Sequence, residues 1–209
     1  MSKEALFDII SSLSGLIPLI AFAYSFKNLD SIFRLIGIFF IVSALADLLQ
    51  WVLPYWHYSN IWVVHIFVIV NIVFFCVIYY KAFVSNLNKR ITLILSSVAR
   101  AAGLYSCKEI FEYPTISNTA SSIVFIILSL LLFFQLLTRQ EFLHIEKQGL
   151  FWFNAAVLFY FSINIFLFML IAMIPLHERP SYYIINNITN IIANLLYTIA
   201  LLCRPQKTT

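Results

Sequence analysis

Long apolar stretches separated by short polar breaks run through the whole chain. A helix needs about 20 mostly apolar residues to cross the hydrocarbon core of a bilayer, within a range of about 17–25. Measured against that length, the sequence predicts seven spans, at 5–26, 32–54, 61–84, 90–106, 119–138, 150–174 and 181–203. The fourth is the shortest and contains Arg100. The breaks are too short to hold an extramembrane domain, so residues 1–209 read as one transmembrane domain. The expected fold is an all-α membrane protein, a seven-transmembrane-helix bundle. The N-terminus lacks a small-residue cleavage site of the Ala-x-Ala kind, and the first stretch is expected to be a retained helix.

Composition agrees with this pattern. Of the 209 residues 62% are hydrophobic, 17% aromatic and 11% charged, with a mean hydropathy of +0.94. An average soluble domain is about 45–50% apolar and about 25% charged. A net charge of +4 would suggest a nucleic-acid partner in a soluble protein. In a membrane protein it reflects Lys and Arg gathered in cytoplasmic loops, and no nucleic-acid partner is expected.

The positions of those charges orient the chain. One side of the predicted bundle holds Lys27, Arg34, Lys81, Lys89, Arg90, Arg139, Lys147, Arg204 and Lys207, and the other holds Lys3, Lys108 and Arg179. The richer side belongs in the cytoplasm. The N-terminus is therefore expected outside and the C-terminus inside. Trp51, Tyr55, Trp56, Tyr58 and Trp62 cluster at the first outer loop, where an interfacial aromatic belt belongs. Cys76, Cys107 and Cys203 lie far apart and offer neither a disulfide framework nor a paired metal motif.

Within lipid, an amide or ionisable side chain is costly unless it faces protein or a water-filled cavity, so each is a candidate site. On the seventh span Tyr183, Asn187, Asn190, Asn194 and Tyr197 recur at spacings of 4, 3, 4 and 3 and share one helical stripe. That stripe reads either as interhelical packing bonds or as a ligand surface. The second span carries Ser43, Asp47 and Gln50 on one stripe, with Asp47 about 10 Å below the outer end. Arg100 is its candidate partner, in a structural clamp or a functional pair. His65 falls about 6 Å below the outer surface, as a bonded interfacial histidine or a ligand group. Asn71 is about 120° out of phase with it. Asn154 and Asn164 both edge the core from the sixth span, near the inner quarter and the midplane.

Most of these residues share a depth. Ser12, Asp47, His65, Asn187 and Asn190 fall about 6–15 Å below the outer face, with Asn164 at the lower edge of that layer. Leu, Ile and Phe dominate beneath it. A polar layer above an apolar floor predicts an outward-facing small-molecule pocket lined or buttressed by Asp47, His65, Arg100, Asn164, Asn187 and Asn190. In the first span Ser11-x-x-x-Gly15 permits close helix approach, and Pro18 predicts a kink.

Several activities lack their residues. The last span has no lysine for retinal, and no Asp-Arg-Tyr, Asn-Pro-x-x-Tyr, His-Glu-x-x-His, Gly-x-Ser-Gly or P-loop pattern occurs. No catalytic set stands out, and no metal or cofactor is expected. Two alternatives stay open: a small transporter or channel using Asp47 and Arg100, and a zinc-dependent intramembrane hydrolase built around Ser43, Asp47 and His65. Only Pro18 interrupts a span, without the counterpart that an inverted-repeat transporter shows.

The segment Leu150-Phe-Trp-Phe-Asn-Ala-Ala-Val-Leu-Phe-Tyr-Phe-Ser-Ile-Asn-Ile-Phe-Leu-Phe, with Ser14-Gly-Leu-Ile-Pro-Leu, Ala46-Asp-Leu-Leu and the Asn-rich last span, resembles a family. It is one of small, functionally uncharacterised seven-transmembrane-helix membrane proteins of the Bacteroidota, some of which occur alongside sensor kinases. The resemblance covers nearly the whole chain. It implies the inner (cytoplasmic) membrane of a bacterium and a link to signalling. With the pocket read from the polar layer, the expected function is a receptor-like or sensory protein that takes a small-molecule ligand and contacts a membrane or cytoplasmic signalling partner.

Overall fold

The computed structural model describes residues 3–138, 145–171, 173–175 and 177–203. All regular structure among them is helical: α1 (Lys3–Ser14), α2 (Leu16–Ser25), α3 (Ser31–Tyr55), α4 (Ile61–Ala82), α5 (Asn86–Ser106), α6 (Thr115–Thr138), α7 (Gly149–Leu170) and α8 (Arg179–Leu202). The span limits read from hydropathy fall within four residues of these ends.

α1 and α2 form one broken rod. Pro18 has no N–H for the Ser14 carbonyl, and its ring crowds that carbonyl. The break falls there, at Gly15, whose N–H bonds the Ser12 carbonyl at 3.2 Å. The kink expected from Pro18 thus takes the form of a helix interruption. α3 begins on Asp30, whose carboxylate accepts from the Ile32 and Phe33 N–H groups at 2.9 and 3.0 Å. Such a cap satisfies two of the four N–H groups that a helix start leaves unpaired. α3 ends where the Trp56, His57 and Tyr58 N–H groups fold back onto the Leu53 and Pro54 carbonyls. His57 takes the left-handed conformation this stop requires, at φ 61°.

Among the described residues, six segments are long and apolar enough to cross a membrane: Lys3–Asn28, α3, α4, α6, α7 and α8. The chain is a multi-pass membrane protein. α5 falls short of that measure although it has 21 residues, because Lys89, Arg90, Arg100 and several hydroxyl and amide residues dilute it. Of the charges used for orientation, Arg139, Arg204 and Lys207 lie outside the described residues, as does His144.

Each rod packs on the next along the chain, and α8 returns to lie against both α1 and α2, closing a ring of seven rods. The short connections reverse the chain each time. The upper end therefore carries the N-terminus and the 56–60, 107–114 and 171–178 connections. The lower end carries the 26–30 and 83–85 connections and the end of α8. Exposed Leu, Ile, Val and Phe cover the outer faces of the rods, with Trp51, Tyr55, Trp56 and Tyr58 exposed around the upper end of α3.

The ring is tight below. Gly149 lets the start of α7 meet the Phe33 ring and the Ala200 backbone, while Phe40 and Tyr197 pack edge to face at 5.1 Å. A fully buried network ties α4, α6 and α7 there. The Tyr79 hydroxyl donates to Asn154 Oδ1 at 2.9 Å and, its one hydrogen used there, accepts from Ser129 Oγ at 2.7 Å. Asn154 Nδ2 donates to the Ser129 carbonyl at 2.8 Å. Every polar atom of this triangle is satisfied within the protein, as a group away from water requires.

Candidate functional site: an upper cavity with a side cleft

Above the tight half, the rods splay around a cavity of about 1350 Å³. Its walls are polar at the sides and aromatic below. α3 supplies Ser43, Asp47 and Gln50, as their shared stripe predicts, and α4 supplies Asn71. Tyr160 projects from α7, and α8 contributes Tyr183, Asn186 and Asn190. The connection between α5 and α6 roofs the cavity with Lys108, Glu112 and Tyr113, and Arg179 stands at the start of α8. Arg179 is held in place by donating from Nε to the Ile174 carbonyl at 2.9 Å. The rim thus bears two cations, while the Asp47 carboxylate lies deeper. Desolvation holds the Tyr113 phenol well above its usual pKa, with Tyr183 and Tyr160 adding to the effect, so it serves here as a neutral group.

The floor is a packed aromatic cluster. Phe161 lines the cavity and packs on Phe125 at 4.8 Å, and Phe125 packs on Phe75 at 4.8 Å. Phe75, Phe125 and Phe153 are at most 2% exposed. The expected apolar floor is present, and no residue below these rings lines the cavity. Beneath it lies the Tyr79–Ser129–Asn154 triangle, a polar feature that the depth pattern alone did not predict.

The six expected site residues separate. Asp47 lines the cavity and has no hydrogen-bond or ionic partner among the described residues. Asn190 also lines it, while Nδ2 donates to Ser11 Oγ at 3.0 Å. Asn187 donates to Asp8 Oδ1 at 2.5 Å and lines a smaller cleft alongside. The other three stand elsewhere. His65 is 3% exposed and bonds the Glu112 carbonyl through Nε2 at 2.8 Å, so it fastens the roof from behind. Asn164 is fully buried and donates to the Tyr160 carbonyl at 2.9 Å. Arg100 curls onto its own helix, from Nε to the Ser96 carbonyl at 3.3 Å and from Nη2 to Ser97 Oγ at 3.0 Å. It does not pair with Asp47, because α4 stands between α3 and α5.

The Asn stripe of α8 is a ladder onto the first rod. Asn187 reaches Asp8, Asn190 reaches Ser11, and Asn194 reaches Ser14 Oγ at 2.8 Å. Partner numbers rise together, so the first and last rods run parallel. The carboxamide donors act as packing bonds, one of the two readings open from the sequence. A neighbouring stripe of α8, Tyr183, Asn186 and Asn190, turns to the cavity instead. Tyr160 donates its hydroxyl to Asn186 Oδ1 at 3.0 Å, joining α7 to that stripe.

Sequence reasoning missed Asp8, although Asp8, Ser11 and Ser14 repeat at helical spacing and match the asparagine column. It also missed Tyr160, which carries no periodic signal of its own, and Asn186, although Tyr183, Asn186 and Asn190 repeat at helical spacing. Among the described residues, no three His, Cys, Asp or Glu side chains come together to hold a metal ion. The chain matches no family model, no curated protein and no solved structure.

Proposed function

We propose that this chain is a receptor-like or sensory seven-helix membrane protein that binds a polar small molecule in the outer half of its bundle. The upper cavity, polar at its walls and shut below by Phe75, Phe125 and Phe161, carries this reading. A site open at one end and packed at the other suits recognition better than passage. A carboxylate at depth, cations at the rim and several amides and phenols between them supply donors and acceptors for a polar ligand.

The topology proposed with it has seven crossings, the N-terminus outside and the C-terminus cytoplasmic, in the inner membrane of a bacterium. Parallel first and last rods favour the seventh crossing, because a chain that reverses at each connection needs an odd number of crossings to make them parallel. The division of nine Lys and Arg against three favours the orientation. Coupling to a signalling partner in the membrane or cytoplasm follows from the family resemblance alone. A zinc hydrolase reading lacks a ligand set, since His65 faces the Glu112 carbonyl and does not line the cavity with Asp47.

Asp47→Asn is the direct test, because the carboxylate has no hydrogen-bond or ionic partner among the described residues and the amide keeps its shape. In a thermal-shift screen of small polar metabolites, at least one compound should raise the unfolding midpoint of the unaltered protein. Asp47→Asn should then weaken that compound's binding by about tenfold or more, the scale of a hydrogen bond to a charged group. The midpoint without ligand should hardly move. A response equal in Asp47→Asn and in Tyr160→Phe would place binding outside this cavity.

A further inference from the structure

Arg100 takes no part in the cavity, and its surroundings pose a separate problem. The buried residues of α5 are Thr92, Ser96, Ala99 and Gly103, which mark the face turned to α4 and α6. Leu93, Ser97, Arg100 and Leu104 recur at spacings of 4, 3 and 4 and form a second stripe, and all four are exposed. That stripe is apolar at its ends and polar in the middle. The arginine also points the wrong way for water. It stands six residues from the upper end of α5, and a side chain seeking water would climb to that end. It descends instead, onto the Ser96 carbonyl and Ser97 Oγ. Ser96 is ten residues, or about 15 Å, from either end of the helix. The guanidinium thus lies at the middle of the rod, on its outer surface.

A charge at this depth is costly unless protein covers and pairs it. Ser96 and Ser97 occupy only part of the guanidinium's donors, and among the described residues no carboxylate pairs with it. Whatever covers the stripe must therefore bring negative charge. Lipid phosphates stand at the headgroup level, about 15 Å away along the helix axis. A second copy of this chain does not supply the charge either. Asp8 and Asp47, the carboxylates within its spans, line the cleft on α1 and α3, and α5 against α5 would set two Arg100 side chains together. We propose that the Leu93–Ser97–Arg100–Leu104 stripe seats a transmembrane helix of a different protein, one that carries Asp or Glu near the middle of its span. That carboxylate accepts from the N–H groups Ser96 and Ser97 leave free, and the two leucines pack above and below it. The inference rests on α5 crossing the membrane, as in the topology proposed above, and is independent of any ligand in the cavity.

The probe is a synthetic leucine-rich transmembrane helix with one Glu at its centre, mixed with the full chain in phosphatidylcholine vesicles. Association is read by energy transfer from a donor on Cys107, beside the upper end of α5, to an acceptor on the helix. Cys76→Ala and Cys203→Ser leave Cys107 as the single thiol. The Glu helix should associate about tenfold more tightly than the same helix with Leu at its centre, the scale of a hydrogen bond to a charged group. Arg100→Leu should erase that difference, and Arg100→Lys should keep most of it. Arg100→Glu should reverse the preference in favour of a Lys-centred helix. Equal association of the Glu and Leu helices, or a preference that survives Arg100→Leu, would overturn the proposal. So would energy transfer between labelled copies of the chain that Arg100→Leu abolishes, because a second copy would then hold the stripe. Arg100→Cys, in a chain without its other cysteines, should resist a membrane-impermeant thiol reagent from either face. Reaction there would overturn the crossing of α5 and this proposal with it. Equal association of the two helices, with Arg100→Cys unreactive, would overturn this proposal alone.

Discussion

Phe75→Ala should lower stability by roughly 3–5 kcal/mol, the range for truncating a buried aromatic side chain. Phe75 is the hub of the floor. Its ring lies 4.8 Å from Phe125, 5.3 Å from Phe39, 5.9 Å from Phe153 and 6.1 Å from Phe161, counted between ring centroids. These rings come from α3, α4, α6 and α7, so truncation leaves a void where four rods meet. Dense interiors relax only partly around such a void, and the lost contacts are not regained. Phe166 is on α7 as well, but 67% of it is exposed on the lipid side. Phe166→Ala should therefore shift the unfolding midpoint in detergent far less than Phe75→Ala. Equal shifts would mean that the floor is not the packed centre of the bundle. Phe75→Ala should also deepen the cavity toward the Tyr79 hydroxyl and weaken any ligand that relies on a closed floor.

Gly149→Ala should be the most damaging single-methyl addition among the glycines flanked by backbone. A Cβ at Gly149 would lie 2.6 Å from the Ala200 carbonyl oxygen and 2.5 Å from Phe33 Cζ. The carbonyl belongs to the last turn of α8, a backbone group, so relief requires that turn or the start of α7 to move. Overpacking of this kind costs about 1–3 kcal/mol. Gly103 offers the contrast, since a Cβ there would first meet Ile69 Cγ1 at 3.4 Å, an ordinary contact. Gly103→Ala should be neutral or stabilising, as alanine is favoured over glycine in a helix by about 1 kcal/mol. Unfolding curves of the two variants in one detergent give the comparison. A Gly149→Ala midpoint at or above that of Gly103→Ala would contradict the tight lower closure.

The sequence made the rods legible because lipid imposes a single pattern, long apolar runs between short breaks. α5 is the instructive case. Its charges keep it below the hydropathy of the other rods, yet it fills a place in the ring between α4 and α6. Depth was legible too, since residue count along a helix converts directly to distance. Direction around each helix was only partly so. Ser43, Asp47 and Gln50 share a stripe and do face the cavity, and Asn71 lines it while His65, on another face of α4, does not. Partnering was not legible. Asp47 and Arg100 look complementary in charge, but which rods are neighbours is a property of the ring and not of either helix. The asparagine column showed its spacing clearly, but the matching column on α1 had to be seen beside it before its donors could be assigned to packing.

Pro18 interrupts the first rod at Gly15, three residues back, and both halves of that rod pack on α8 while α2 also packs on α3. The upper half of the bundle holds the cavity, while the lower half keeps its aromatic packing. Lys108, Arg179 and Asp47 then face one space although they come from three distant parts of the chain.

Thiol accessibility tests this account most directly. In a background of Cys76→Ala, Cys107→Ser and Cys203→Ser, a membrane-impermeant thiol reagent is applied separately to each face of sealed vesicles. Asp47→Cys should react when the reagent is on the side of the N-terminus and stay unmodified when it is on the other. Ser129→Cys, beneath the aromatic floor, should react from neither. Modification of Asp47→Cys from the side opposite the N-terminus would contradict a cavity that opens at the N-terminal end and is closed below.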